Sequence, residues 1–97
     1  MTKTKLSIII LSYNVKERLL DCLASIPKHP DWEIIIPDNG STDGTLEAVP
    51  QAFSTGGNLG FAAGNNVGIK KSTGEYVLLL NPDTIVYPKT IETVLKY

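Results

Sequence analysis

The chain has 97 residues, 42% of them apolar, with a formal charge of -1 and one cysteine. That length fits one domain, and the composition is that of a globular chain rather than a disordered one. It excludes an internal disulfide, leaves no Cys/His zinc set around the single His29, and supplies no basic field for nucleic acid.

The opening "MTKTKLSIIILSYN" lacks the long apolar core and the cleavage site of a signal peptide, and no later stretch could span a bilayer. A cytoplasmic location is expected. Leu6–Leu11 is a short β-branched run suited to a strand covered on both faces. Asn14 is placed to cap a helix, with Glu17 completing a capping box, and Val15, Leu19, Leu23 and Ile26 form its stripe up to Pro27. Cys22 falls in this stretch and reads as a core thiol. Glu33–Ile36 is the second strand, ending on Pro37 and Asp38. Ser41 or Thr42 can cap a short helix to about Val49, with Asp43 in its first turn. Ala52–Thr55 reads as a brief strand.

Gly60–Lys71 reads as a helix in which Gly60, Gly64 and Gly68 share one face and allow close packing on the sheet. Asn65 and Asn66 are unusual in a helix interior and favour a ligand-facing role. Glu75–Leu80 is a long apolar strand, and Pro88 opens a last helix with Ile91, Val94 and Leu95. Tyr13 and Tyr76 read as packing rather than stacking residues; Lys3, Lys5, Lys70 and Lys71 read as solvated surface.

This alternation predicts an α/β fold, a parallel, Rossmann-like sheet with helices on both faces. All strands then end on one edge, where such sheets bind ligands. Ser12-Tyr13-Asn14, Asp38-Asn39-Gly40 and Asn81-Pro82-Asp83 follow apolar strands and meet there. Neither G-x-G-x-x-G after the first strand nor a P-loop occurs. Two carboxylates on that rim repel a bare phosphate, so a nucleotide held through Mg2+ or Mn2+ and through base or ribose contacts is favoured.

The segments "SIIILSYN", "PDNGSTDGT" and "NLGFAAGNNVGIKKSTGEYVLLLNPD" resemble, in order and spacing, the N-terminal half of family 2 glycosyltransferases of GT-A fold, most of all the rhamnosyltransferase-type branch. The resemblance covers nearly the whole chain, so residues 1–97 are expected to form a nucleotide-sugar-binding half. It implies inverting transfer of a sugar from a UDP- or dTDP-linked donor to the hydroxyl of a saccharide or lipid-linked acceptor, with a parent enzyme peripheral at the inner membrane face. It also implies that Asp38 contacts the base. Ser12, Tyr13, Asn14 and Asn39 would line the nucleoside pocket, and Asn58, Gly60 and Asn65 would close over the nucleotide. Asp83 matches the last position of the D-x-D metal motif, whose first position is Asn81, a neutral and weaker ligand. Pro37 replaces the usual valine, and strand pairing is expected to stop there.

An inverting mechanism needs a general base. In the resembling family the base and the acceptor pocket lie in the second half of the domain, so no catalytic residue is assigned among Glu17, Asp21, Asp31, Glu47, Glu75 and Glu92. A donor-binding half ending at Tyr97, inside an expected helix, would leave a sheet edge and face uncovered, so homo-oligomers are expected. A non-catalytic nucleotide-binding module is the alternative. A phosphoacceptor receiver is disfavoured because "LSYNV" lacks an acidic pair after the first strand.

Overall fold

The computed structural model describes residues 4–87 and 89–95, so the expectations for Lys3, Pro88 and Tyr97 lie outside it. The elements alternate as expected: β1 (Leu6–Ile9), α1 (Lys16–Ser25), β2 (Trp32–Asp38), α2 (Thr45–Ala48), β3 (Ala52–Ser54), α3 (Phe61–Lys71), β4 (Tyr76–Leu79) and α4 (Thr90–Leu95). The strands form one parallel sheet in the order β3-β2-β1-β4, with Ile8 in register with Ile34 and Leu78. β1 takes a central place because both its faces can be covered. Leu6, Ile8, Ile9 and Ile10 are all buried.

Side chains alternate across the sheet, and the two faces receive different helices. Leu6, Ile8 and Ile10 join Leu19 and Cys22 of α1, Ile26 at its end and Ile91 of α4 in one apolar core, which confirms Cys22 as a core thiol. Ile9 and Leu11 point the other way, toward α3. A Cβ on Gly68 would stand 2.6 Å from Ile9 Cγ2, and one on Gly64 would stand 2.7 Å from Leu11 Cδ1. The close packing expected of these glycines is therefore present. Gly60 is different, since it precedes α3 at φ +85° and faces open space.

Three local expectations are corrected. β2 does not stop before Pro37. It pairs with β3 through Asp38, and the Pro37 carbonyl accepts the Ser12 N–H at 2.9 Å. Proline lacks only the donor, and its acceptor still serves a ladder. Asn14 does not cap α1; it sits at φ 52° and its Oδ1 accepts the Thr42 N–H at 2.7 Å. The Lys16 N–H at the start of α1 is met by Asp43 Oδ2 (3.0 Å), from the loop after β2. Asp43 therefore precedes α2 rather than sitting inside its first turn, and Gly44 stands where Ser41 or Thr42 was expected as the cap. Hydrogen bonds from the Thr45 hydroxyl and then the Lys16 N–H hold the Asp43 carboxyl below the usual aspartate range.

At the edge where the strands begin, Glu33 of β2 ties neighbouring segments together. Its Oε2 accepts from the Ser7 hydroxyl of β1, from the Thr73 N–H (2.7 Å) and from the Thr73 hydroxyl (2.9 Å). Partial burial pushes its pKa up, but the hydrogen bonds from Ser7 and Thr73 outweigh it and the carboxyl is held below the ordinary glutamate value.

Among the described residues β4 pairs with β1 alone, leaving an edge. Tyr76, Val77 and Leu79 on it are 50%, 44% and 47% exposed, so the edge is open as well as apolar. Tyr76 is therefore not the packed residue expected. Among the described residues no helix is long and apolar enough to cross a membrane.

Candidate functional site

The strand ends that the sequence singled out do meet at one edge. Ser12 bridges to Asp38 in parallel pairing, and Leu80 extends the β1–β4 ladder by donating to the Ile9 carbonyl at 2.9 Å. Beside this junction lies a cleft of about 350 Å³, lined by Leu11, Tyr13 and Val15 after β1, Phe61 and Asn65 of α3, and Leu79 to Pro82 at the end of β4. The volume is at the lower end of the range of about 300–1,000 Å³ for small-molecule sites.

The fold sorts the candidate residues into three groups. Tyr13, Asn65 and Asn81 line the cleft. Tyr13 is 47% exposed, which corrects its assignment to packing, and Asn65 is held by its Nδ2 donating to the Phe61 carbonyl at 3.0 Å. Asn66, by contrast, is exposed and lines no part of the cleft.

Ser12, Asp38 and Asn39 are buried and do not line the cleft. Asp38 is fully buried, and both its oxygens are taken. Oδ2 accepts from Gly40 N–H (3.2 Å) and Ser41 N–H (2.8 Å), and Oδ1 accepts from the Ser41 hydroxyl (2.6 Å). Asn39 accepts from the Thr55 hydroxyl (2.7 Å) and donates to the Gly60 carbonyl (3.1 Å), linking β2 to the loop that leads into α3. The Ser12 hydroxyl oxygen is the buried side-chain polar atom without a partner among the described residues.

Asn14, Asn58 and Gly60 are exposed and line no part of the cleft. Asn14 N–H donates to the Ser41 hydroxyl at 2.8 Å, zipping the loops after β1 and β2 together. Asn58 Oδ1 accepts the Gly60 N–H at 3.3 Å just before α3.

Asn81 and Asp83 stand on an exposed turn at the end of β4, where Asp83 N–H approaches Asn81 Oδ1 at 3.4 Å and Thr84 N–H donates to the Asn81 carbonyl at 3.0 Å. The described residues contain no cluster of three or more His, Cys, Asp or Glu able to hold a metal by themselves. A cation here would have one carboxylate and one amide from the protein. Burial, and then the negative charge of Asp83 nearby, pushes the Cys22 thiol up, so it stays protonated beneath this turn.

Phe61 is the site residue that sequence reasoning missed. It is 73% exposed, large and aromatic, at the mouth of a cleft. An aromatic directly after a glycine at the start of the expected helix was the available signal.

Comparison with known proteins agrees with this geometry. The family model for glycosyl transferase family 2 matches residues 7–97. The chain is 34% identical over its whole length to a glycosyltransferase of unassigned specificity from Rickettsia conorii, covering 18% of that protein. It is 33% identical over 84% of its length to the putative teichuronic acid biosynthesis glycosyltransferase TuaG of Bacillus subtilis, covering 36% of it. The chain thus spans well under half the length of these relatives. Among solved structures, TarS of S. aureus, as its fragment 1–349, superposes with a TM-score of 0.84 at 26% identity, over 96% of this chain and 32% of that one. The mannosyltransferase PcManGT of Pyrobaculum calidifontis, solved with GDP-Man and Mn2+, superposes with a TM-score of 0.83 at 23% identity, over all of this chain and 33% of that one. The sheet order, the edge where its strands end and these superpositions are those of the expected GT-A arrangement, and with a family match over nearly its whole length the chain is a member of glycosyl transferase family 2.

Proposed function

We propose that this chain forms the donor-binding half of an inverting glycosyltransferase that uses a UDP- or dTDP-linked sugar. The observation that carries the proposal is the cleft at the sheet's C-terminal edge, where Tyr13, Phe61, Asn65 and Asn81 converge beside Asp83. Apolar walls with two exposed aromatic rings suit the flat faces of a base, and the amides of Asn65 and Asn81 suit its polar edges or the ribose hydroxyls. Asp38, Ser12 and Asn39 would support this surface from behind by fixing the turns that carry it.

The metal turn fits a divalent ion that keeps most of its shell on the ligand. Among the described residues none donates a hydrogen bond to the Asp83 carboxylate, so its oxygens face solvent unspent. Mg2+ and Mn2+ are commonly held by one or two carboxylates together with substrate phosphates and water. Asp83 and Asn81 would hold such an ion, and it would offset the charge that develops on the departing diphosphate. The presence of Mn2+ and GDP-Man in the mannosyltransferase neighbour supports this reading. The acceptor, a saccharide or lipid-linked hydroxyl, and the general base would belong to other parts of the parent enzyme.

The test is a calorimetric titration of UDP and dTDP, with and without Mn2+, into the chain and into Tyr13→Ala. The wild-type chain should bind one of them, and Tyr13→Ala should weaken binding about tenfold in both metal conditions, since loss of an aromatic face removes about 1–3 kcal/mol per stacked base. No binding by folded wild-type chain would sink the proposal. Binding without sugar transfer by the parent enzyme would favour a non-catalytic nucleotide-binding module.

Copies of the chain are expected to associate through the open β4 edge, because unpaired backbone groups beside exposed Val77 and Leu79 favour a partner. Light scattering that finds a monomer at every concentration would count against this.

A further inference from the structure

The turn that carries Asn81 and Asp83 is exposed, yet its far end is anchored. Val86 is buried at 7% exposure, and its N–H donates to the Ser25 hydroxyl at 2.9 Å. That hydroxyl donates in turn to the Cys22 carbonyl at 2.7 Å. One helical turn earlier, the fully buried Cys22 thiol lies 4.0 Å from the Asn81 carbonyl. The same face of α1 therefore touches both ends of the segment 81–86, bridging 59 and 61 residues of sequence. The strand ladder ends at Leu80, so among the described residues the bonds that cross from the stretch between there and Val86 to another element are these two.

We infer that Ser25 is a positioning residue: through the Val86 amide it fixes the Asn81–Asp83 turn against α1 and so sets where the proposed divalent ion sits. This rests on the donor-and-metal reading above. The serine hydroxyl suits the task because it can donate and accept at once. It spends its proton on the Cys22 carbonyl and offers a lone pair to Val86. Removing it leaves a buried N–H without a partner, a state the turn relieves by moving. Cys22 acts as the spacer below Asn81.

Ser25→Ala and Ser25→Thr separate this role from general support. In the ligand-free chain, Ser25→Ala should speed amide hydrogen exchange at Val86 about tenfold relative to the Leu19 amide, as the loss of about one buried hydrogen bond requires. Ser25→Thr should restore it. In titrations of dTDP and UDP, Ser25→Ala should weaken binding about tenfold when Mn2+ is present, the scale on which partners of metal ligands act. Binding without metal should be unchanged.

Unaltered Val86 exchange would overturn the inference, and so would an equal loss of binding with and without Mn2+, which marks a purely structural residue. If wild-type binding gains nothing from Mn2+, the metal reading falls and this inference with it. If wild-type binding responds to Mn2+ and Ser25→Ala matches it in both conditions, this inference alone falls.

Discussion

Asp83→Ala should remove the metal-dependent part of nucleotide binding, weakening dTDP or UDP affinity about 100-fold or more in Mn2+. Binding without metal and the melting temperature should stay at wild-type values. The argument is one of exposure. The Asp83 side chain is exposed, and the bond that closes its turn uses the backbone N–H, which the substitution keeps. Among the described residues no bond in the fold therefore depends on the carboxylate, while a cation at this turn would lose the single negative charge the turn offers it. Asp83→Asn keeps the shape and loses the charge, so it should behave like the alanine variant. Calorimetry with and without Mn2+, beside thermal melts of each variant, checks the expectation. A matched loss in both metal conditions would show that Asp83 contacts the nucleotide itself. An unchanged affinity in Mn2+ would remove Asp83 from the site.

Gly74→Ala carries the largest expected cost in stability, about 3 kcal/mol. A Cβ at Gly74 would lie 2.6 Å from both the Ser7 N and Oγ atoms and 2.9 Å from the Leu6 carbonyl carbon. Two of these neighbours are backbone atoms of β1, which is held on one side by β2 and on the other by β4. Relief by moving the loop instead would break the bond from Gly74 N–H to the Ser7 hydroxyl (2.8 Å) and pull Thr73 from Glu33. For a domain of 97 residues each kcal/mol lowers Tm by about 4–8 °C, so a fall of more than about 10 °C is expected in thermal unfolding. A near-wild-type Tm would show that the loop swings clear at little cost.

The same network adds a pH signature. Because the folded pKa of Glu33 is depressed, its contribution is complete above the ordinary value of 4.5 and drains away as pH falls through the folded pKa. Glu33→Gln should thus be less stable than wild type near neutral pH, and the gap should close in acid. A gap that persists in acid would mean the carboxylate's charge is not what matters.

Much of the site's position was legible in the chain, while the state of each side chain was not. Leu6–Leu11 is apolar but for Ser7 and rich in β-branched residues, and its first part became a strand buried on both faces because a short apolar run has nowhere else to satisfy both sides. Gly64 and Gly68, four apart, marked the helix that lies against it. Asn14 shows where local reasoning fails. It has the right chemistry and spacing to cap α1, but Asp43, 27 residues later than Lys16, takes that place and frees Asn14 to hold Thr42. Both arrangements satisfy the same donors, and their sequence spacing contains nothing that ranks a distant acceptor against a near one. Pro37 fails for a simpler reason, since the carbonyl that pairs it with Ser12 does not depend on residue type.

Asp38 gives the sharpest contrast. By sequence it is a carboxylate at the end of an apolar strand, on the edge where the parallel strands end, and that is where it lies. Only the tertiary structure decides that its oxygens are spent on Gly40 and Ser41, while those of Asp83 are left to solvent. The sequence alone determined the order of elements, the parallel sheet and the edge on which polar residues gather, because periodicity and the direction of parallel strands act over a few residues. Which of those residues line the cleft, which are buried with their bonds spent and which stay exposed was decided by the folded chain. Lone pairs and donors are consumed by whichever partner packing brings within reach, and that partner stands tens of residues away.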